Sequence, residues 1–438
     1  MTQGRRGSGR SSPRRPPASA GGPSALKCEA PQAPGNTTGM TPYEPQTEQV
    51  SPWQLFVLLF FTISPTTVLA LPALTGQYAG HDAWLSVALG TLAGVAVVQL
   101  HLALAQRFPG RGWTDIHRLV LGRWLGAVVN LLTWGWVLLT AAVIAREFGE
   151  FVVATVLPLT PLVVIQGTAL ALAMWAARDG LEVLARVAEL LLPVIAASFV
   201  FLLVLLLPNI DGRAILPLLE SGWGNLLRGA VPPLAWLGET VLSLVVLPSL
   251  AHWDGARRAG SAAVLVVGTL LTLLTLGTIL VLGDTAALFT FPLFAATRTV
   301  SIADFIERLE PVLTAVWVGG LVIKMGVWVF AASVTGAGAF GVDDYRPLVT
   351  PMTALVLALS IWLFPSSVEM TDFLARTWPF LALLFQVVVP SAVLLLALLR
   401  GLPARGGGWP APEPAGSRAP GASPPGPAGP GGARPGGR

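Results

Sequence analysis

The chain is poor in charge, in cysteine and in tyrosine. Only 11% of its 438 residues are Asp, Glu, Lys or Arg, where a water-soluble domain carries about 25%. That deficit, beside 53% hydrophobic residues, excludes an ordinary soluble fold and makes the chain a polytopic membrane protein. A single cysteine, Cys28 in the polar N-terminal stretch, excludes an intrachain disulfide and a cysteine-based metal centre. The four histidines, His81, His101, His117 and His252, lack metal-ligand spacing. There is no Gly-rich phosphate loop, no HExxH and no Ser-His-Asp set in a workable context, so neither an enzyme nor a cofactor is expected. Basic residues are not interleaved with exposed aromatics, which argues against a nucleic-acid partner. The first fifty residues lack the apolar run that a signal peptide needs.

What charge there is lies mostly at the ends. Residues 1–50 hold six Lys/Arg against three acids, and residues 401–438 four Arg against one acid. Both stretches are rich in Arg, Pro and Gly and are expected to be disordered cytoplasmic tails lying near anionic lipid. Between them, residues 51–400 form an all-α integral membrane domain of about ten transmembrane helices. The expected spans are 53–74, 83–106, 124–157, 161–177, 187–207, 231–250, 262–282, 312–335, 348–364 and 380–400. With both termini inside, the inner loops carry nine arginines and the outer loops five, as the positive-inside rule requires.

The first span, residues 51–74, reads Thr62-Ile63-Ser64-Pro65-Thr66-Thr67 at its centre. Pro65 removes a backbone donor and clashes with the carbonyl one turn back. It lies about 18 Å along the helix from Trp53, near the bilayer midplane. Two readings fit: a broken helix lining a small-molecule or ion site, or a kink satisfied by neighbouring hydroxyls. The sixth span reads Pro232-Pro233-Leu234-Ala235-Trp236-Leu237-Gly238-Glu239-Thr240 and carries an acid about 12 Å deep, with Gly238 favouring local unwinding. The eighth span carries Lys324 about 18 Å deep. An unpaired charge in hydrocarbon is expensive, so Glu239 and Lys324 are expected to pair, directly or through a ligand bearing one charge of each sign. The competing reading for Lys324 is snorkelling to the inner headgroups; for Glu239 it is a purely structural partner.

Spans one and six stand five apart in a set of ten, which points to a 5+5 inverted repeat with broken first and sixth helices and a site at their interface. Ser64, Pro65, Thr66 and Thr67 would meet the polar end of a ligand. Trp236, Gly238 and Glu239 would form the opposing wall, with Lys324 balancing charge. Trp317 shares a helix face with Lys324, and Thr140 is the favoured polar residue of the third span beside Asn130 and Thr133. Residues 301–310 read as a short amphipathic helix, with Asp304 and Arg308 at i,i+4. It would serve as a gate, a simple lid or a partner surface.

Several stretches in order resemble the B subunits of spore germinant receptors, the spore germination permeases of the amino acid–polyamine–organocation superfamily. They are Ala79-Gly80-His81-Asp82-Ala83-Trp84, Phe108-Pro109, Gly180-Leu181-Glu182-Val183-Leu184-Ala185-Arg186, Phe291-Pro292 with Arg298, and Asp304-Phe305-Ile306-Glu307-Arg308-Leu309-Glu310 followed by Trp317 and Lys324. The resemblance covers roughly residues 50–400. It implies a ten-helix inverted-repeat fold in the spore inner membrane or cell membrane, beside an A-type and a C-type receptor subunit. It also implies a subunit that binds a small germinant, such as an amino acid, and signals to those partners. Where the family has a Gly-containing break in span one, this chain has Ser64-Pro65. The alternative is a proton- or cation-coupled amino acid transporter; a third reading is a scaffold whose pocket has decayed.

Overall fold

The computed structural model describes residues 49–210, 212–298 and 310–402. The expectations placed on the two polar tails and on the Asp304–Arg308 segment lie outside them. Val50 already belongs to the folded body: it is fully buried, its N–H donates to the Ser249 carbonyl at 2.8 Å, and its carbonyl accepts from Ala251 N–H at 2.9 Å.

The described chain is helical throughout, because a backbone in hydrocarbon must satisfy its own polar groups. Helix α1 (Pro52–Ala79) opens on a capping box. Ser51 Oγ accepts from Gln54 N–H at 3.1 Å, and Gln54 Oε1 accepts from Ser51 N–H at 2.9 Å. Loss of such a cap costs about 1 kcal/mol, so Ser51→Ala is expected to lower the melting temperature slightly in detergent, with no change in helix content. After a 3₁₀ turn at Gly80–Asp82 come α2 (Ala83–Arg107), the short α3 (Trp113–Leu121), α4 (Arg123–Thr155), α5 (Leu162–Asp179) and α6 (Leu181–Leu206). The second half begins with α7 (Gly222–Gly229), α8 (Val231–Leu237), a 3₁₀ segment over Gly238–Leu242 and α9 (Ser243–Val246). It continues through α10 (Ala256–Leu282), α11 (Pro292–Arg298), α12 (Glu310–Phe340), α13 (Arg346–Trp362) and α14 (Ser367–Arg376). The last crossing is α15 (Trp378–Leu383), a π-helical turn over Leu384–Val388, and α16 (Val389–Leu399).

Among the described residues, eight stretches are long and apolar enough to span a bilayer, nine with the α13–α14 pair, which bends by 102°. The longest, Pro52–Arg107, has 56 residues and holds both α1 and α2. These fold back at the 3₁₀ turn, since both pack on α10. Counting them as two crossings gives ten, as expected from the sequence.

The packing follows the repeat. Helix α1 touches α8, α2 touches α10, α4 touches α12 and α5 touches α13. Each is a pair of spans five apart, which is the signature of two five-helix units related by pseudo-symmetry. Helix α3 lies across the start of α4. Asn130 Nδ2 donates to the Thr114 carbonyl at 3.0 Å, and His117 Nδ1 donates to Asn130 Oδ1 at 2.8 Å. Burial pushes the His117 imidazole down to about 4. Asn130 is thus a clamp on α3.

The sixth span does not unwind at Gly238 as the sequence suggested: it stays helical and tightens into a 3₁₀ segment over Gly238–Leu242. Nor does the first span break: α1 is continuous through Pro65 and Pro72. A proline removes one helical donor, and inside a protein bundle hydroxyls and neighbours compensate. Threonine hydroxyls along α1 bond back one turn, Thr62 Oγ1 to the Leu58 carbonyl at 2.7 Å, Thr67 Oγ1 to the Ile63 carbonyl and Thr75 Oγ1 to the Leu71 carbonyl at 2.7 Å. These are carbonyls other than those of Phe61 and Val68, which Pro65 and Pro72 leave without a helical donor, so it is the packing of this buried helix that holds it whole. The inverted-repeat fold holds, with a pair of prolines inside a whole helix in place of an unwound segment.

Candidate functional site

Lys324 on α12 is completely buried, and its ammonium does not snorkel. Nζ donates to Glu239 Oε2 at 2.8 Å and to Thr66 Oγ1 at 2.7 Å. Glu239 is 1% exposed and Thr66 fully buried. The bridge therefore joins the first, sixth and eighth spans in the packed middle of the bundle. The expected pairing of Glu239 with Lys324 is direct.

The 3₁₀ segment is what presents Glu239. Gly238 is needed there, because a Cβ at this position would stand 2.2 Å from Gln386 Oε1 and 3.0 Å from Gln386 Cδ. Gln386 sits in the π-helical turn of the last span. Pro390, four residues on, cannot supply the N–H that the Gln386 carbonyl would receive in an α-helix. His101 on α2 does so, with Nε2 donating at 2.6 Å. With that nitrogen protonated, Nδ1 accepts from Thr240 Oγ1 at 3.1 Å. A buried polar chain thus runs from the last span through His101 to Thr240, next to Glu239. Sequence reasoning missed His101 and Gln386. The signal was one polar residue in each of two apolar runs, with Pro390 one turn beyond Gln386.

The remaining candidates divide. A whole helix turns about 100° per residue, so Ser64 and Thr66 lie about 200° apart on α1 and do not face the same neighbour. The hydroxyl of Ser64 is buried with no partner among the described residues. That of Thr67 is taken by the Ile63 carbonyl. Neither it nor Thr66 is a free hydroxyl of the kind the sequence suggested. Pro65 packs near Gly320 on α12, one turn before Lys324, where a Cβ would stand 3.6 Å from Pro65 Cγ. Trp236 is buried beside Gly238. Trp317 packs its ring near Phe151 (5.9 Å between centroids) and Phe199 (6.3 Å), and is 5% exposed. Thr140 donates to the Trp136 carbonyl at 2.8 Å, so its hydroxyl belongs to α4.

Cavities reach in from both ends. At the end marked by Ser249, a cavity of about 380 Å³ is lined by Trp113, Val245, Pro248, Phe330 and Tyr345, among others. At the opposite end a cavity of about 210 Å³ lies between the later turns of α1, the Phe289–Phe291 loop and α14, with Glu147 of α4 in its wall. The Lys324 bridge occupies the layer between them. In this state the charged pair is closed, and a ligand would have to part it.

The fold is shared with solved transporters. The chain is similar to MhsT, solved in complex with L-phenylalanine, at a TM-score of 0.58 and 12% identity over 80% of this chain and 99% of that one. It is similar to Mhp1, a nucleobase-cation-symport-1 family transporter in a closed conformation, at 0.57 and 16% identity over 81% and 80%. At these identities the likeness concerns the fold. Curated relatives include spore germination protein KB of Bacillus subtilis, 26% identical over 80% of this chain and 95% of the relative. Another is spore germination protein YndE of the same organism, 24% identical over 81% and 98%. The family model described as "Spore germination protein" matches residues 49–368, which include Gly238 and the bridge residues Thr66, Glu239 and Lys324. With that match spanning most of the membrane domain, the chain belongs to the spore germination permease family.

Proposed function

We propose that the protein is the nutrient-sensing membrane subunit of a spore germination receptor. It binds a small germinant, such as an amino acid, near the midplane and signals to A-type and C-type partner subunits. The observation that carries this reading is the buried bridge from Lys324 to Glu239 and Thr66. A zwitterion carries one charge of each sign and would replace the direct pair by two new ones, ammonium to Glu239 and carboxylate to Lys324. Parting the pair moves the sixth span against the eighth, and Trp236 and Gly238 move with Glu239. Because the bridge ties spans one, six and eight together, the displacement would be passed to the surface that partner subunits read. The subunit lies in the spore inner membrane with both termini cytoplasmic, so the Ser249 end faces the cytoplasm.

The transporter fold favours one rival, a cation-coupled amino acid carrier, and a single experiment separates the two. Labelled L-amino acids are supplied to the purified protein in liposomes and retention is followed over time. A sensor retains ligand up to a stoichiometric plateau. Thr66→Val, which removes one acceptor of Lys324 and keeps the side-chain shape, is expected to weaken that retention about tenfold, a charge-assisted hydrogen bond being worth about 1.5–3 kcal/mol. Accumulation that keeps rising and collapses when an imposed gradient is dissipated would establish a carrier instead.

A further inference from the structure

Among the described residues, Glu147 is the one acid of α4 without a counterpart. Its neighbours are committed. Arg146 is held by Glu150, with Nε donating at 2.8 Å and Nη2 standing 2.7 Å away, and Arg146 Nη1 also donates to the Ser360 carbonyl at 3.3 Å. Glu150 accepts in addition from Ser367 Oγ at 2.7 Å. Lys324 is spent on Glu239 and Thr66. No hydrogen bond or ion pair reaches Glu147 among the described residues, although it is only 6% exposed. What exposure it keeps is into the cavity opposite the Ser249 end, whose wall it shares with Leu69, Ala73, Phe289, Thr290 and Met370. Two further cavities, of about 520 and 370 Å³, adjoin this one and share Thr290 with it. Among the described residues, the only cation lining any of the three is Arg376, which is exposed and paired with Asp372 at 2.7 Å.

A carboxylate in low dielectric without a cation is costly, and an ammonium arriving in the cavity would relieve that cost. The rest of the wall is largely apolar, which suits a hydrocarbon body more than a second charge. We infer that the Glu147 cavity is a docking site for the primary ammonium group of a small molecule with an apolar body. It lies on the way to the Lys324–Glu239 bridge and is separate from it. Helix α4 packs on α12, which carries Lys324, so a cation bound beside Glu147 sits against the element that holds the bridge. The inference rests on the reading that a small molecule enters the bundle.

The test uses dicyclohexylcarbodiimide, which reacts with carboxyl groups in apolar surroundings, on the full-length protein in liposomes, with peptide mass spectrometry as the readout. Glu147 is expected to be modified and Glu239, closed off by Lys324, to be spared. Isoamylamine is expected to slow the modification of Glu147 about tenfold, the worth of one charge-assisted contact. The matching acid, 4-methylpentanoate, should leave it unchanged. L-Leucine, which carries the same ammonium, should protect as the amine does. Absence of modification at Glu147, equal protection by amine and acid, or no protection by either would overturn the inference. Labelled L-amino acid retention on the same preparation keeps the two readings apart. Retention without amine protection would remove the docking site and leave the sensor, and protection without retention would do the reverse.

Discussion

Lys324→Met is expected to cost about 3–5 kcal/mol of folding stability, the penalty for leaving one member of a buried ion pair without the other. Glu239 would stay 1% exposed in the middle of the bundle with its counter-ion gone. Methionine keeps most of the length and flexibility of lysine, so the loss reports charge and not volume. The measurement is thermal unfolding of the detergent-solubilised protein beside the double variant Lys324→Met/Glu239→Leu. Because a buried pair replaced by apolar groups is often neutral, the double variant should recover most of the stability while losing the nutrient response. A double variant no more stable than the single one would show that Glu239 is held by something other than Lys324.

Gly238→Ala is expected to destabilise by about 1–3 kcal/mol, the range for overpacking a filled interior. The new methyl group would meet Gln386 at 2.2 Å from Oε1, 3.0 Å from Cδ and 3.3 Å from Cβ. Gln386 is fully buried, so its side chain has little room to swing away. The site at risk is the junction between the 3₁₀ segment of the sixth span and the π-helical turn of the last span, where His101 also bonds. Gln386→Ala introduced into Gly238→Ala removes Oε1 and Cδ and is expected to restore thermal stability. If it does not, the glycine is required for the 3₁₀ backbone itself and not for the approach of the last span. Reading the nutrient response in the same pair of variants tells whether that junction carries the signal or only the packing.

The class of the protein and its crossings were legible because hydrocarbon imposes them. Long uncharged runs, arginines on one side and prolines at Pro65, Pro232 and Pro233 need no partner to be read. The meeting of Glu239 with Lys324 was legible for a related reason. Two opposite charges deep in different spans gain more from each other than from hydrocarbon, and the structure joins them at 2.8 Å. Which way a helix faces was not legible. In a soluble helix the polar stripe marks the outside, but here lipid and protein interior are equally apolar, so residues of α1 such as Ser64 and Thr66 carry no sign of which neighbour they will meet.

The sequence by itself therefore determined a ten-span membrane protein with a repeat of five, a weak point at Gly238 and a buried charge pair. Only the tertiary structure decided that α1 stays whole through its prolines, because a proline in an apolar run reads the same whether neighbouring spans enclose the helix or a ligand opens it. It alone placed His101 on the Gln386 carbonyl, left Glu147 facing a cavity with Arg146 taken by Glu150, and turned Ser64 away from Thr66. Each of these depends on which spans become neighbours, and that choice is made by shape, in the fit of glycine against glutamine and of proline against Gly320, where uniform hydrophobicity leaves no trace.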